Sequence, residues 1–210
     1  MRIGLDFDNT IVGYDQLFHK VALEKSLISP EVPINKVAVR DYLRNTNQEN
    51  AWTEMQGYVY GARMNEAIAY PGLIEAIHSI KNAGHELFIV SHKTQYPYAG
   101  ERYDLHEASR SWIAYHLQAP GSTLIHKSNV FFNPSKDEKI EKISQLKCDI
   151  FLDDLPEILL ATHFPQDTKK CLFDPEGHYV GLENEILVNL QSWKAFSDWV
   201  HNLGRNNESS

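Results

Sequence analysis

The chain is poor in cysteine: among 210 residues only Cys148 and Cys171 occur, far apart in sequence. They form no CxxC pair and no zinc-ligand spacing, which excludes a disulfide framework or a structural zinc site and fits a reducing compartment. Long apolar runs are missing too. Nothing approaches the ~18 residues of a membrane-spanning helix, and Met1-Arg2-Ile3-Gly4-Leu5-Asp6 meets an acid too early for a signal peptide. A soluble, cytoplasmic protein is expected. Positive charge is scarce, since 20 Lys and Arg against 28 Asp and Glu leave a formal charge of −8. Such a surface offers no electrostatic footprint for a nucleic acid polymer or an anionic membrane, although a local positive pocket can still hold a small anion. Among catalytic signatures there is no GxSxG, no P-loop, no GxGxxG and no HExxH. His78, His85 and His92 are evenly spaced but fall on a helix, its end and a strand, so they make no metal site.

What is present is an ordinary globular composition, 42% hydrophobic and 23% charged, of a length that suits one domain, or one with a small insertion. Three short apolar runs each end in chemically capable residues. Ile3-Gly4-Leu5 leads into Asp6-Phe7-Asp8-Asn9-Thr10, Leu87-Phe88-Ile89-Val90 into Ser91-His92-Lys93, and Ile150-Phe151-Leu152 into Asp153-Asp154. Runs without clean alternation read as strands buried on both faces of a parallel sheet. Weaker strand candidates lie at 129–132 and 170–173. Helical patterns alternate with them: Leu73, Ile74, Ile77 and Ile80 share a face, Ser135 to Glu138 forms a capping box, and Trp193, Phe196, Trp199 and Val200 suggest a last helix. Strands alternating with helices predict a parallel sheet covered on both faces.

Residues 15–70 break this pattern, with helical periodicity at 17–27, 36–43 and 51–68 and no convincing strand. Such a stretch is too long for a loop. It reads as an inserted all-helical domain, with 1–14 and 71–205 forming the α/β core and a polar, disordered tail at 206–210. Trp52, Tyr58 and Tyr60 read as core of that insertion, and a lone Arg63 as solvated.

In a doubly wound sheet, ligands bind beyond the carboxyl ends of the strands. Asp6, Asp8, Ser91, Asp153 and Asp154 all stand at such ends and would converge. Like charges ~4 Å apart repel by about 4 kcal/mol at an effective dielectric of ~20, so a cation must sit among them. All-oxygen ligation favours a hard one, and Mg²⁺ is usual where phosphate completes the shell.

Asp6-Phe7-Asp8-Asn9-Thr10 resembles the DxDxT signature of the haloacid dehalogenase superfamily. Ser91 after its strand resembles the second motif, a lysine opening a helix the third, and Asp153-Asp154 the fourth. The order and intervals run in register from Asp6 to about Glu157, and the helical insertion resembles the cap that many members carry after the first motif. The resemblance implies a Rossmann-like core and a Mg²⁺-dependent phosphatase. Asp6 would be the nucleophile and Asp8 the general acid and base. The true dehalogenases of the family lack that second Asp, because a halide leaves without a proton. Thr10 and Ser91 would hold phosphoryl oxygens, and a lysine would offset the charge. For the lysine, Lys136 is preferred over Lys139 because first-turn placement aims it at the strand edge. The metal would take Asp6, the backbone carbonyl of Asp8 and one of Asp153 and Asp154, with Asp154 the better match for direct ligation and Asp153 acting through water or the lysine.

His92 and Lys93 are expected at the pocket rim as substrate contacts, and the loop 94–104 beside them as a further binding element. The expected substrate is a small phosphorylated metabolite, a nucleoside monophosphate or a sugar phosphate. A phosphotransferase or mutase would use the same Asp6 and Asp8. A non-catalytic binding module with this fold would have no need of both. The oligomeric state is not encoded in these patterns.

Overall fold

The computed structural model describes residues 1–119, 122–179 and 186–208. The chain folds into two compact units, one of Met1–Ile11, Ala69–His92 and Leu117–Ser210, the other of Val12–Ile68 and Lys93–His116. The insertion thus has the expected helices, but the segment 93–116, assigned to the core from sequence, clusters with them. The last helix also runs on to Glu208, through positions expected to be disordered. Ser209 and Ser210 of that expected tail lie outside the described residues.

The first unit is built on six parallel strands. In chain order these are β1 (Arg2–Leu5), β2 (Glu86–His92), β3 (Val130–Asn133), β4 (Ile150–Asp153), β5 (Lys169–Phe173) and β6 (Leu187–Leu190). Their order across the sheet, β6-β5-β4-β1-β2-β3, is the doubly wound arrangement, whose direction of progression reverses beside β1. The central strands explain the uninterrupted apolar runs. Alternate residues of β2 point to opposite faces, and Leu87, Phe88, Ile89 and Val90 are all buried. Phe88 and Val90 pack with Phe151 and Leu172 against Ile140 and Ile143 of helix α6 (Lys136–Gln145) and Ile158 and Leu159 of the short helix α7 (Pro156–Leu159). Elsewhere in the unit, Phe173 meets Trp193 at the start of helix α8 (Trp193–Glu208), with ring centroids 5.9 Å apart. The Trp193 indole N–H donates to the Thr10 carbonyl at 3.0 Å, which ties α8 to the turn after β1. Both thiols are core: burial pushes Cys148 up to about 12 and raises Cys171 as well, which leaves them inert as nucleophiles.

The second unit holds α1 (Asp15–Glu24), α2 (Lys36–Asn45), α3 (Glu49–Tyr60) and α5 (Leu105–His116), while α4 (Leu73–Asn82) belongs to the first. Its core is aromatic. Phe18 lies 5.0 Å from Trp52 and 5.5 Å from Tyr60, and Tyr14 meets Tyr60 edge-on at 4.9 Å. Arg63 is not simply solvated: it pairs with Glu24 and Glu66, and Lys20 joins Glu66 at 2.8 Å. The segment 94–104 stays with this unit because Gly57 in α3 and Gly61 at its C-terminal end leave it room. A β-carbon at Gly57 would stand 2.7 Å from Pro97 Cβ, and one at Gly61 would overlap Tyr103. Gly57→Ala should therefore lower stability by about 1–3 kcal/mol, the usual size of an overpacking penalty, although alanine favours helix. A melting temperature equal to or above the native value would show that the loop yields at no cost.

Candidate active site

The sheet order places the reversal between β1 and β4, where an open α/β sheet forms its ligand crevice. Asp6 follows β1 directly and its N–H donates to Leu152 O at 2.9 Å. Asp153 ends β4. The two carboxylates are held by one lysine: Lys139 Nζ donates to Asp6 Oδ1 and to Asp153 Oδ2, each at 2.6 Å. All three side chains are buried, Lys139 to 2% exposure. Both oxygens of Asp153 are engaged inside the fold, its Oδ1 accepting the Leu155 N–H at 3.0 Å. Asp154 is half-buried and receives the Asn9 side-chain N–H on Oδ2 at 3.4 Å. Asn9 adopts φ 57°, a left-handed conformation that Asn tolerates better than most residues and that turns the chain after Asp8.

Lys139, and not the preferred Lys136, bridges the carboxylates. Lys136 lies on the surface, paired with Glu157, although it also borders the site. The reason is directional. Helical side chains lean toward the N-terminus, so Lys139, one turn inside the Ser135 cap, reaches back over that cap to the strand ends. A lysine in the first turn leans beyond the helix into solvent.

A cavity of about 70 Å³ opens here, lined among others by Asp6, Asp8, Ser91, His92, Lys139 and Asp154. Ser91 is buried at the end of β2, and its carbonyl accepts from Asn133 Nδ2 at 3.3 Å. His92 Nε2 lies 3.2 Å from the Pro134 carbonyl, and burial lowers its pKa. Two expected contacts are placed differently. The Thr10 side chain is fully buried and does not border this cavity, and its hydroxyl has no hydrogen-bond partner among the described residues. Lys93 is buried in the helical unit, its ammonium 4.8 Å from the Tyr60 ring centroid and its carbonyl 2.8 Å from His106 Nε2. Asn9 and Asn133 were not read from the sequence as parts of the site. Asn133 ends an apolar run just as Ser91 does, and that signal could have found it.

Carboxylate oxygens of Asp6, Asp153 and Asp154 lie within 4.8 Å of one another. With Asp8 bordering the same cavity, one buried ammonium does not balance the negative charge. An all-oxygen set of this charge fits a hard divalent cation. Burial is the main force on Asp6: it raises the pKa, Lys139 opposes it, Asp153 and Asp8 add to it, and the group sits at about 7. Burial also disfavours charge on Lys139, but Asp153 and Asp6 outweigh it and hold the lysine above its ordinary value.

The pH dependence follows with a definite sign. In metal-free protein, folded Asp6 keeps its proton to about pH 7, while in the unfolded chain it titrates near ~3.9. Between those values the folded state binds more protons, so its stability falls as pH rises from about 4 to about 7. Urea unfolding in EDTA should show the native protein losing stability across this window relative to Asp6→Asn. Parallel curves would refute it.

No protein-family profile matches the chain. Two curated bacterial proteins, each provisionally named a nucleotidase, resemble it over part of its length. One from Oceanobacillus iheyensis is 24% identical over 168 residues, 76% of this chain and 79% of that protein. One from Bacillus cereus is 19% identical over 165 residues, again 76% of this chain and 79% of that protein. Among solved structures, a haloacid dehalogenase-like family hydrolase from Xanthomonas campestris matches with a TM-score of 0.59 at 8% identity, covering 100% of this chain and 98% of that one. The chain has the fold of the haloacid dehalogenase-like hydrolases, a Rossmann-like sheet unit with an inserted helical cap unit.

Proposed function

We propose that the protein is a Mg²⁺-dependent phosphomonoesterase acting on a small phosphorylated metabolite through an aspartyl-phosphate. The observation that carries this reading is the pairing of Asp6 and Asp153 through buried Lys139, beside Asp154 and facing a cavity that Asp8 and Ser91 also border. Asp6 attacks phosphorus as the phosphoester bond breaks, and Asp8 gives its proton to the departing alkoxide. Asp8 then takes a proton from water, which attacks phosphorus of the acyl phosphate, releases phosphate and restores Asp6. Lys139 keeps the Asp6 carboxylate oriented and limits the charge that builds around it. Ser91 is a proposed donor to phosphoryl oxygens and His92 a proposed substrate contact, both bordering the cavity. Asp6, Asp154 and the Asp8 carbonyl would hold the metal, with Asp153 steadying Lys139. Bound there, Mg²⁺ supplies Lewis-acid neutralisation of phosphoryl charge.

The cavity is small, which suits recognition of the phosphoryl group that many small esters share. The nucleotidase names of the two relatives favour nucleoside monophosphates among them. The test is phosphate release from nucleoside 5′-monophosphates and sugar phosphates, with Mg²⁺ and with excess EDTA. Release that requires Mg²⁺ is expected, strongest on a nucleotide. No release from any ester, or release indifferent to EDTA, would end the proposal.

A further inference from the structure

The helical unit holds a second concavity of about 580 Å³, within the ~300–1,000 Å³ typical of small-molecule sites. It lies between the turn that follows α3 and one face of α5, where Ala108, Ser111, Trp112 and Tyr115 recur at helical spacing. None of the side chains that line it is charged, although 23% of the chain's residues are. Of the charged residues beside the lining ones in sequence, Arg63 and Glu66 are engaged with each other and with Glu24 and Lys20, Glu107 accepts the Ser111 hydroxyl at 3.4 Å, and Arg110 does not line the concavity.

One wall is aromatic and fixed. Trp112 is buried and its indole N–H donates to Ala67 O at 2.8 Å. His116 stacks on it, with centroids 4.4 Å apart and planes inclined by 23°. Tyr115 meets the same imidazole edge-on at 5.0 Å and is itself 80% exposed. Burial lowers the His116 pKa, so near pH 7 the ring is neutral and carries one donor and one acceptor. Asn65, in the single turn Met64–Glu66, adds an amide with both.

We propose that this concavity binds an uncharged planar heteroaromatic group of the nucleobase type, stacked on the His116–Tyr115 wall with its polar edge paired to the Asn65 amide. An anion would find no cation among the lining side chains. An aliphatic ligand would cover the amide and imidazole without pairing them, which is unfavourable. The site uses no residue of the carboxylate cavity and does not depend on the phosphatase reading.

Saturation-transfer NMR of the full chain with adenosine, which carries no phosphate to hydrolyse, tests it. Transfer to the base protons is expected. It should disappear in Ser111→Trp, which fills the concavity from an exposed helical position, and weaken at least about fivefold in His116→Ala, as loss of one stacking contact implies. It should persist in Asp6→Asn. Absence of transfer with both adenosine and uridine would overturn the proposal. So would a signal that survives Ser111→Trp, or one that vanishes in Asp6→Asn and so reports the carboxylate cavity. A concentration-dependent dimer abolished by Ser111→Trp, with no adenosine transfer, would instead give the face to a second copy of the chain.

Discussion

Asp6→Asn should abolish turnover, with a loss of at least about 10⁴-fold in kcat, the scale seen when a nucleophile is removed from a covalent mechanism. The variant should remain folded. Asn keeps the shape of Asp6 and leaves an amide oxygen to accept from Lys139, which still has Asp153 at 2.6 Å. It also removes a carboxylate whose ionisation burial opposes. In EDTA at pH 8 the variant should therefore be at least as stable as the native protein, which separates a dead enzyme from an unfolded one. Asp8→Asn should behave differently. With an aryl phosphate, whose phenolate leaves without needing a proton, the first step should proceed while water attack slows. The variant should then accumulate one phosphoryl group, visible in its intact mass. A fully active Asp6→Asn, or a phosphoryl group found on another residue, would end the nucleophile assignment.

Much of this site can be read from sequence because a parallel sheet writes its active edge as a local pattern. Each buried strand is an apolar run, and whatever follows it stands at the carboxyl edge, so Asp6, Ser91 and Asp153-Asp154 announce themselves without any knowledge of the tertiary fold. The choice between Lys136 and Lys139 does not follow from that pattern. Both share a helical face, and only the direction of the side chain decides which one reaches Asp6 and Asp153. Strand β6 was missed because it is an edge strand with a single neighbour, β5, and only Leu190 of its four residues is buried. The placement of 93–116 with the helical unit rests on long-range contacts at Pro97 and Tyr103. A trace of it was nevertheless present. Gly57 inside α3 costs helix stability of roughly 1 kcal/mol, and such a loss signals that another part of the chain comes close.

The second large effect concerns Lys139. Lys139→Met should reduce kcat at least about 10²–10³-fold, the loss expected when a preorganised charge partner is taken from a reacting group. Lys136→Met should change it by less than about fivefold, since an exposed ion pair is worth at most ~1 kcal/mol. The two variants should differ as sharply in stability. Without Lys139, Asp6 and Asp153 are buried together with no cation, and breaking such an arrangement typically costs ~3–5 kcal/mol. That loss has a sign in pH. The buried Asp6 already keeps its proton well above the pH at which it titrates in the unfolded chain, and loss of the lysine strengthens that preference. The folded state then binds more protons, so stability drops as pH rises. Denaturant unfolding of Lys139→Met in EDTA should show a small deficit at pH 5 and a large one at pH 8, with Lys136→Met near native at both. Saturating Mg²⁺ should recover part of the pH 8 deficit by supplying the missing positive charge, without restoring kcat, because a metal among the carboxylates does not orient Asp6 as the ammonium does. A Lys139→Met protein with native turnover, or a Lys136→Met protein without it, would return the role to the helix's first residue.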